Sequence, residues 1–214
     1  MKKIVIGTIL STSLFLSACS MGTSSEEELS ASLEKMHEQE QGYRDAQEKL
    51  ANLERKEQST FNATMELTQE QKEEVSLKVE ELKASLAERL TLLKEEDESI
   101  EKAQKSLSSF ESLVKDTKDD KVKTSLKDLK TSIEDRYEAH EVVSNEYQKL
   151  TELQISLYDM LADESTEQTQ LQEQVNSVNK QNDAVQAAIN AFNDATKKVN
   201  EVKSSVYDSL DEEK

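Results

Sequence analysis

Leu16, Ser17, Ala18 and Cys19 have the residue types and order of a lipobox. The chemistry is thiol acylation. A branched apolar side chain three positions before the cysteine fills a peptidase pocket, small residues let the peptidase approach, and the thiol carries a diacylglycerol. Met1-Lys2-Lys3 makes a short basic start, and Ile4 to Leu16 is an apolar run interrupted only by Gly7 and a few Ser/Thr. That run is too short for a spanning helix and reads as a removable export signal. Cys19 is the sole cysteine, so no intramolecular disulfide can form. Two acyl chains anchor a protein firmly where one would be marginal. The expected organisation is a lipoprotein signal peptide at 1–18, a lipidated cysteine and short tether at 19–25, and a single helical-bundle domain at 26–214. The expected location is the extracytoplasmic face of the cell membrane, held by diacylglycerol and a palmitate-type acyl chain.

Other candidate chemistry is thin. Glu34-x-x-His37 matches half of a carboxylate-bridged di-metal site, which in a bundle needs a second Glu-x-x-His on another helix. The one other histidine, His140, has Tyr137 three residues before it, so this route to a metal fails. Nucleophile elbows, glycine-rich phosphate loops, paired cysteines and HExxH are absent. We therefore expect no catalytic residues, no metal, no cofactor and no enzyme. One constellation is worth following. If the second and third helices pair antiparallel, Glu96 or Asp97 lies level with Arg136 and His140, and Glu40 of the first helix reaches the same layer. Histidine titrates near neutrality, so the layer could answer pH or hold a ligand. It could equally be a satisfied polar layer that fixes helix register. The second role is the commoner one for such groups.

The elements that must position these residues are helices. The chain has no proline, and its three glycines (Gly7, Gly22, Gly42) all precede residue 43. Sheets and loop-rich folds need these residues for their turns, whereas long helices do not. The pattern predicts helices over about 26–65, from a Thr68/Gln71 capping box to about 115, from beyond a polar turn at 116–119 to about 161, and from a Ser165/Gln168 cap to about 210. Apolar residues step by threes and fours, as in Val75, Val79, Leu82, Leu86, Leu90 and Leu93 on the second helix. Spacing of this kind, held over many heptads, implies near-parallel coiled-coil packing. The first helix is weaker: Leu53 and Met65 join its stripe, but so do Glu40 and Gln47. The fold class expected is all-α, an elongated antiparallel up-and-down bundle of long coiled-coil-like helices. Four helices are expected. A three-helix arrangement with helix one docked elsewhere is the competitor.

Composition limits the partners. The formal net charge is −18, and loss of residues 1–18 removes Lys2 and Lys3, taking it to about −20. Such a polyanion should not bind nucleic acid and is repelled by anionic lipids and wall polymers. The lysine-rich patch, Lys115 to Lys130 around the 116–120 turn, is expected at the membrane end, with the acidic turns pointing away.

Four strings carry a family resemblance: Leu50-Ala51-Asn52-Leu53-Glu54-Arg55-Lys56-Glu57-Gln58, Glu98-Ser99-Ile100-Glu101-Lys102, Asp135-Arg136-Tyr137-Glu138-Ala139-His140, and Leu157-Tyr158-Asp159-Met160-Leu161. With the lipobox, their order and spacing resemble the cell-wall-binding lipoprotein family, YkyA type, of low-GC Gram-positive bacteria. The resemblance implies a membrane-anchored helical bundle at the wall and brings no catalytic residues. It places His140 where the family pattern leads one to expect an aromatic residue. The function expected is that of a non-enzymatic, lipid-anchored envelope protein binding a cell-wall polymer. The alternative is a surface scaffold or accessory subunit that binds another envelope protein through exposed helix faces.

Overall fold

Helix-forming residues with no proline, and with Gly42 the one glycine among the described residues, give helices almost throughout. The computed structural model describes residues 24–68 and 70–211. The expected signal peptide, the lipobox Leu16-Ser17-Ala18 and Cys19 lie outside them. The elements are α1 (Ser24–Gln39), α2 (Gln41–Met65), α3 (Lys72–Lys105), α4 (Ser108–Asp116), α5 (Asp120–Ala162) and α6 (Gln168–Asp211). The fold is an all-α helical bundle, with no strand among the described residues. The described residues form four helices, because α1–α2 and α3–α4 are each one helix with an interruption.

Both interruptions trace to serine hydroxyls. At the first, Ser99 of α3 inserts its hydroxyl into the backbone ladder. Tyr43 N–H donates to Ser99 Oγ (3.0 Å), which donates in turn to the Gln39 carbonyl (2.6 Å). The flanking bonds survive, from Glu40 N to Met36 O and from Arg44 N to Glu40 O. Such an insertion is a recognised origin of helix kinks. At the second, the 106–109 segment holds three serines. Ser106, Leu107, Ser109 and Phe110 N–H groups bond three residues back. Ser108 and Ser109 hydroxyls also take carbonyls three residues back, at 3.1 and 2.7 Å. Serine side chains offer the backbone this alternative to the α-helical ladder.

The turns are capped as short polar residues allow. Thr68 N–H donates to Gln71 Oε1 (3.1 Å), the back-reaching half of the expected box. Asp119 Oδ1 accepts from Lys121 and Val122 N–H (2.8 and 2.9 Å), opening α5. The Ser165/Gln168 cap does not form. Asp163 Oδ1 captures both the Ser165 amide and its hydroxyl (2.9 and 2.7 Å). The back-bond comes two residues later, from Glu167 N–H to Gln170 Oε1 (3.0 Å).

The chain divides into two compact units. The first comprises residues 45–95 and 142–189, with segments of α2, α3, α5 and α6. Its cross-helix bonds set the directions. Ser85 meets Glu57, Lys83 meets Asp159 and Gln181 meets Glu146, so sequential neighbours run antiparallel. The core includes Leu50, Phe61, Val79, Leu82, Leu86, Leu150, Leu157 and Val185.

The second unit comprises the described residues 24–44, 96–141 and 190–211, and also contains α1 and α4. Ser30 meets Tyr207 and Arg136 meets Thr196, again antiparallel. Helix one is a full member of the bundle: Leu29, Leu33 and Met36 are buried with Phe110, Leu126, Leu129 and Val199. Each such side chain contributes about 1.5–3 kcal/mol. The three-helix competitor is therefore set aside.

Candidate functional site

The buried positions on helix one include an unbroken stripe, Leu29, Leu33, Met36, Glu40, Tyr43, Gln47, Leu50, Glu54, Glu57, Phe61 and Thr64, with Ala46 buried beside it. The steps alternate strictly between four and three. The stripe expected to be weak is complete, with polar residues at five of its positions. Leu53 and Met65, read onto it for their hydrophobicity, lie half-exposed. Each carboxylate it buries must find a cation or donors, since an unpaired buried charge costs several kcal/mol.

In the second unit the partner is Arg136. Its two terminal nitrogens grip Glu40 at 2.6 and 3.0 Å in a bidentate pair, and Nε donates to Thr196 Oγ1 at 3.0 Å. Tyr137 donates its hydroxyl to the same Glu40 (3.1 Å). The guanidinium also lies 4.9 Å from the centre of the Phe192 ring. Burial alone disfavours the charged arginine, but Glu40 more than offsets this and holds its pKa above the ordinary value. Burial pushes the Tyr137 hydroxyl well up, and Glu40 adds to the effect.

His140 sits beside this pair but does not join it. Its ring meets Tyr43 and Phe192 edge-on, at centroid distances of 5.5 and 5.6 Å. Nε2 lies 3.7 Å from Glu96 Oε1, and Nδ1 lies 3.9 Å from Asp97 Oδ1, both beyond hydrogen-bond reach. Glu96 and His140 are buried, whereas the Asp97 side chain is 39% exposed. The four residues expected in one layer thus lie close together, but Arg136 takes Glu40 as its carboxylate.

The first unit holds a second layer that sequence reading missed. Arg89 is 1% exposed. Its Nε donates to the Tyr147 hydroxyl (2.7 Å), and one terminal nitrogen donates to Glu57 (2.8 Å) and Gln154 (3.2 Å). The other lies 3.5 Å from Glu54. Tyr147 donates to Glu54 (2.6 Å), while Tyr158 and Ser85 donate to Glu57 (2.8 and 3.1 Å). Burial raises the Tyr147 and Tyr158 hydroxyls. A signal was available. Arg89 continues the 82, 86, 89, 93, 96, 100, 103 pattern, and it is one of only four arginines in the chain. Sequence reading chose Leu90 instead, which is only half-buried.

These layers are consumed by their own partners. Tyrosines held protonated and arginines held charged are poor proton carriers. His37 of the Glu34-x-x-His37 motif lies 3.4 Å from an Arg44 nitrogen, and burial and then Arg44 pull its pKa below the ordinary value. Among the described residues, no group of three or more His, Cys, Asp or Glu is placed to hold a metal.

Residues 24–209 match the family described as "Putative cell-wall binding lipoprotein". The chain belongs to the YkyA family. The match runs through both compact units. A YkyA relative, the "Uncharacterized lipoprotein YkyA" of Bacillus subtilis (strain 168), is 26% identical over 206 residues, covering 96% of this chain and 92% of the relative. No solved structure matches. The YkyA description names a lipoprotein that binds, and it names no reaction. Among the described residues no helix is long and apolar enough to cross a membrane. Three of the strings that carried the resemblance supply the buried layers: Glu54 and Glu57 from the first, Arg136, Tyr137 and His140 from the third, and Tyr158 from the fourth.

Proposed function

We propose that this protein is anchored through a lipidated Cys19 at the outer face of the cell membrane and binds cell-wall material without catalysis. The observation that carries the reading is the family match over residues 24–209, which takes in the whole described bundle. The packing supports it. Both arginine layers spend their reactive groups on internal pairing, so contact with the wall belongs to the outer helix faces. A net charge of −18 opposes simple electrostatic attachment to anionic wall polymers. Contact therefore runs through hydrogen bonds to glycan or peptide, or through bridging cations. The scaffold alternative took helix one as its partner-facing element. That helix buries its stripe along its whole length, and among the described residues the large exposed apolar ones, Leu77 and Val142, stand singly.

The test is co-sedimentation of the full chain, in detergent, with purified sacculi. Sacculi with and without teichoic acid are compared, each with and without chelator. Saturable binding is expected to survive removal of teichoic acid. Absence of binding under every condition overturns the reading.

A further inference from the structure

In the second unit, α5 and α6 flank a groove of about 380 Å³. Its polar lining repeats along the helices. Ser125 and Asp128 of α5 recur one heptad later as Ser132 and Asp135, and Lys198 of α6 faces them with Ser205 one heptad on. A heptad advances about 10.5 Å along a helix. That is close to the length of one disaccharide in an extended β-1,4-linked glycan. We propose, resting on the wall-binding reading above, that this groove binds an uncharged, N-acetylated β-1,4-linked glycan strand.

The chemistry suits a sugar. Carboxylates accept hydrogen bonds from hydroxyls, serine hydroxyls both donate and accept, and an ammonium donates. Val202, which also lines the groove, offers an apolar spot for a pyranose face. The charged groups are available, while the Ser125, Ser132 and Ser205 hydroxyls each have one partner and keep accepting capacity. Among the described residues, no hydrogen bond or ion pair engages the side chains of Asp128, Asp135 or Lys198. Some other surface carboxylates are occupied, such as Asp159 by Lys83 and Glu146 by Lys149. The floor is fixed, with Ser132 Oγ donating to the Leu129 carbonyl (2.8 Å). Two aspartates against one lysine repel a polyanion but not a neutral strand.

The test uses the full chain in detergent, titrated with tetra-N-acetylchitotetraose and with N-acetylglucosamine, alongside co-sedimentation with teichoic-acid-free sacculi. The tetramer is expected to bind at least about tenfold more tightly than the monomer. Asp128→Ala/Asp135→Ala is expected to weaken both tetramer and sacculus binding by about tenfold or more, the scale of two lost charged hydrogen bonds. Glu173→Ala/Asp183→Ala, which removes the same charge from exposed positions of the first unit, should leave binding unchanged. Sacculus binding unaffected by the groove pair overturns the groove and leaves the wall reading standing. No sacculus binding by the unaltered protein overturns both. Competition by free stem peptide, with none by the tetramer, overturns the glycan assignment.

Discussion

Arg89 and Arg136 differ from the other basic residues in what surrounds them. Arg89 lies between two carboxylates, with the Tyr147 hydroxyl on its Nε, and removing it would strand Glu54 and Glu57 in the core. Arg89→Met is expected to cost about 3–5 kcal/mol, read from the urea midpoint. Arg136→Met with Glu40→Leu should cost less than Arg136→Met alone, because the double variant buries no orphan charge. The tyrosines make a pH prediction. Tyr43, Tyr137, Tyr147 and Tyr158 all have pKa values raised by burial. Above about pH 10 the unfolded chain releases these protons while the folded chain keeps them, so stability falls as pH rises. The slope approaches about 1.4 kcal/mol per pH unit for each tyrosine. An absorbance titration should show Tyr43, Tyr137, Tyr147 and Tyr158 ionising only with unfolding. At this scale the sequence was half legible. Arg136, His140 and Glu96 stood out on an apolar stripe. Arg89 did not, because neighbouring leucines at 90, 92 and 93 made its own position look optional.

At the scale of elements, helices could be read from the absence of proline and late glycine, and their ends fell within a few residues of expectation. The two interruptions could not. Each depends on a serine hydroxyl whose partner is set by tertiary packing or by competition within one turn, and neither leaves a mark on hydrophobic periodicity. Ser99 is the clearer case, since one oxygen bridges a donor and an acceptor of another helix. Ser99→Ala is expected to destabilise by about 1–2 kcal/mol, with faster amide exchange at Tyr43. Ser165→Ala should matter less than Asp163→Ala, because Asp163 is the acceptor for that turn. Melting temperatures of the two variants check the order.

For the whole molecule, the sequence offers more toward the proposed address than toward a ligand. A lipobox is a compact motif that an enzyme reads as sequence, whereas recognition by helix faces depends on which residues come to line one groove. Cys19→Ala is expected to move the protein from the detergent phase to the aqueous phase in a two-phase partition, and from the membrane fraction into the medium. The buried charges carry a further consequence. A long 4–3 apolar stripe has translational near-symmetry: slide one helix by seven residues and leucine again meets leucine. In each compact unit one buried arginine breaks that degeneracy, because a slipped helix one would offer it Leu33 or Gln47 in place of Glu40, or Leu50 or Thr64 in place of Glu57, and leave a carboxylate stranded in the core. The penalty for slipping is then several kcal/mol in either unit. A chain with little to distinguish one heptad from the next thereby acquires a single alignment.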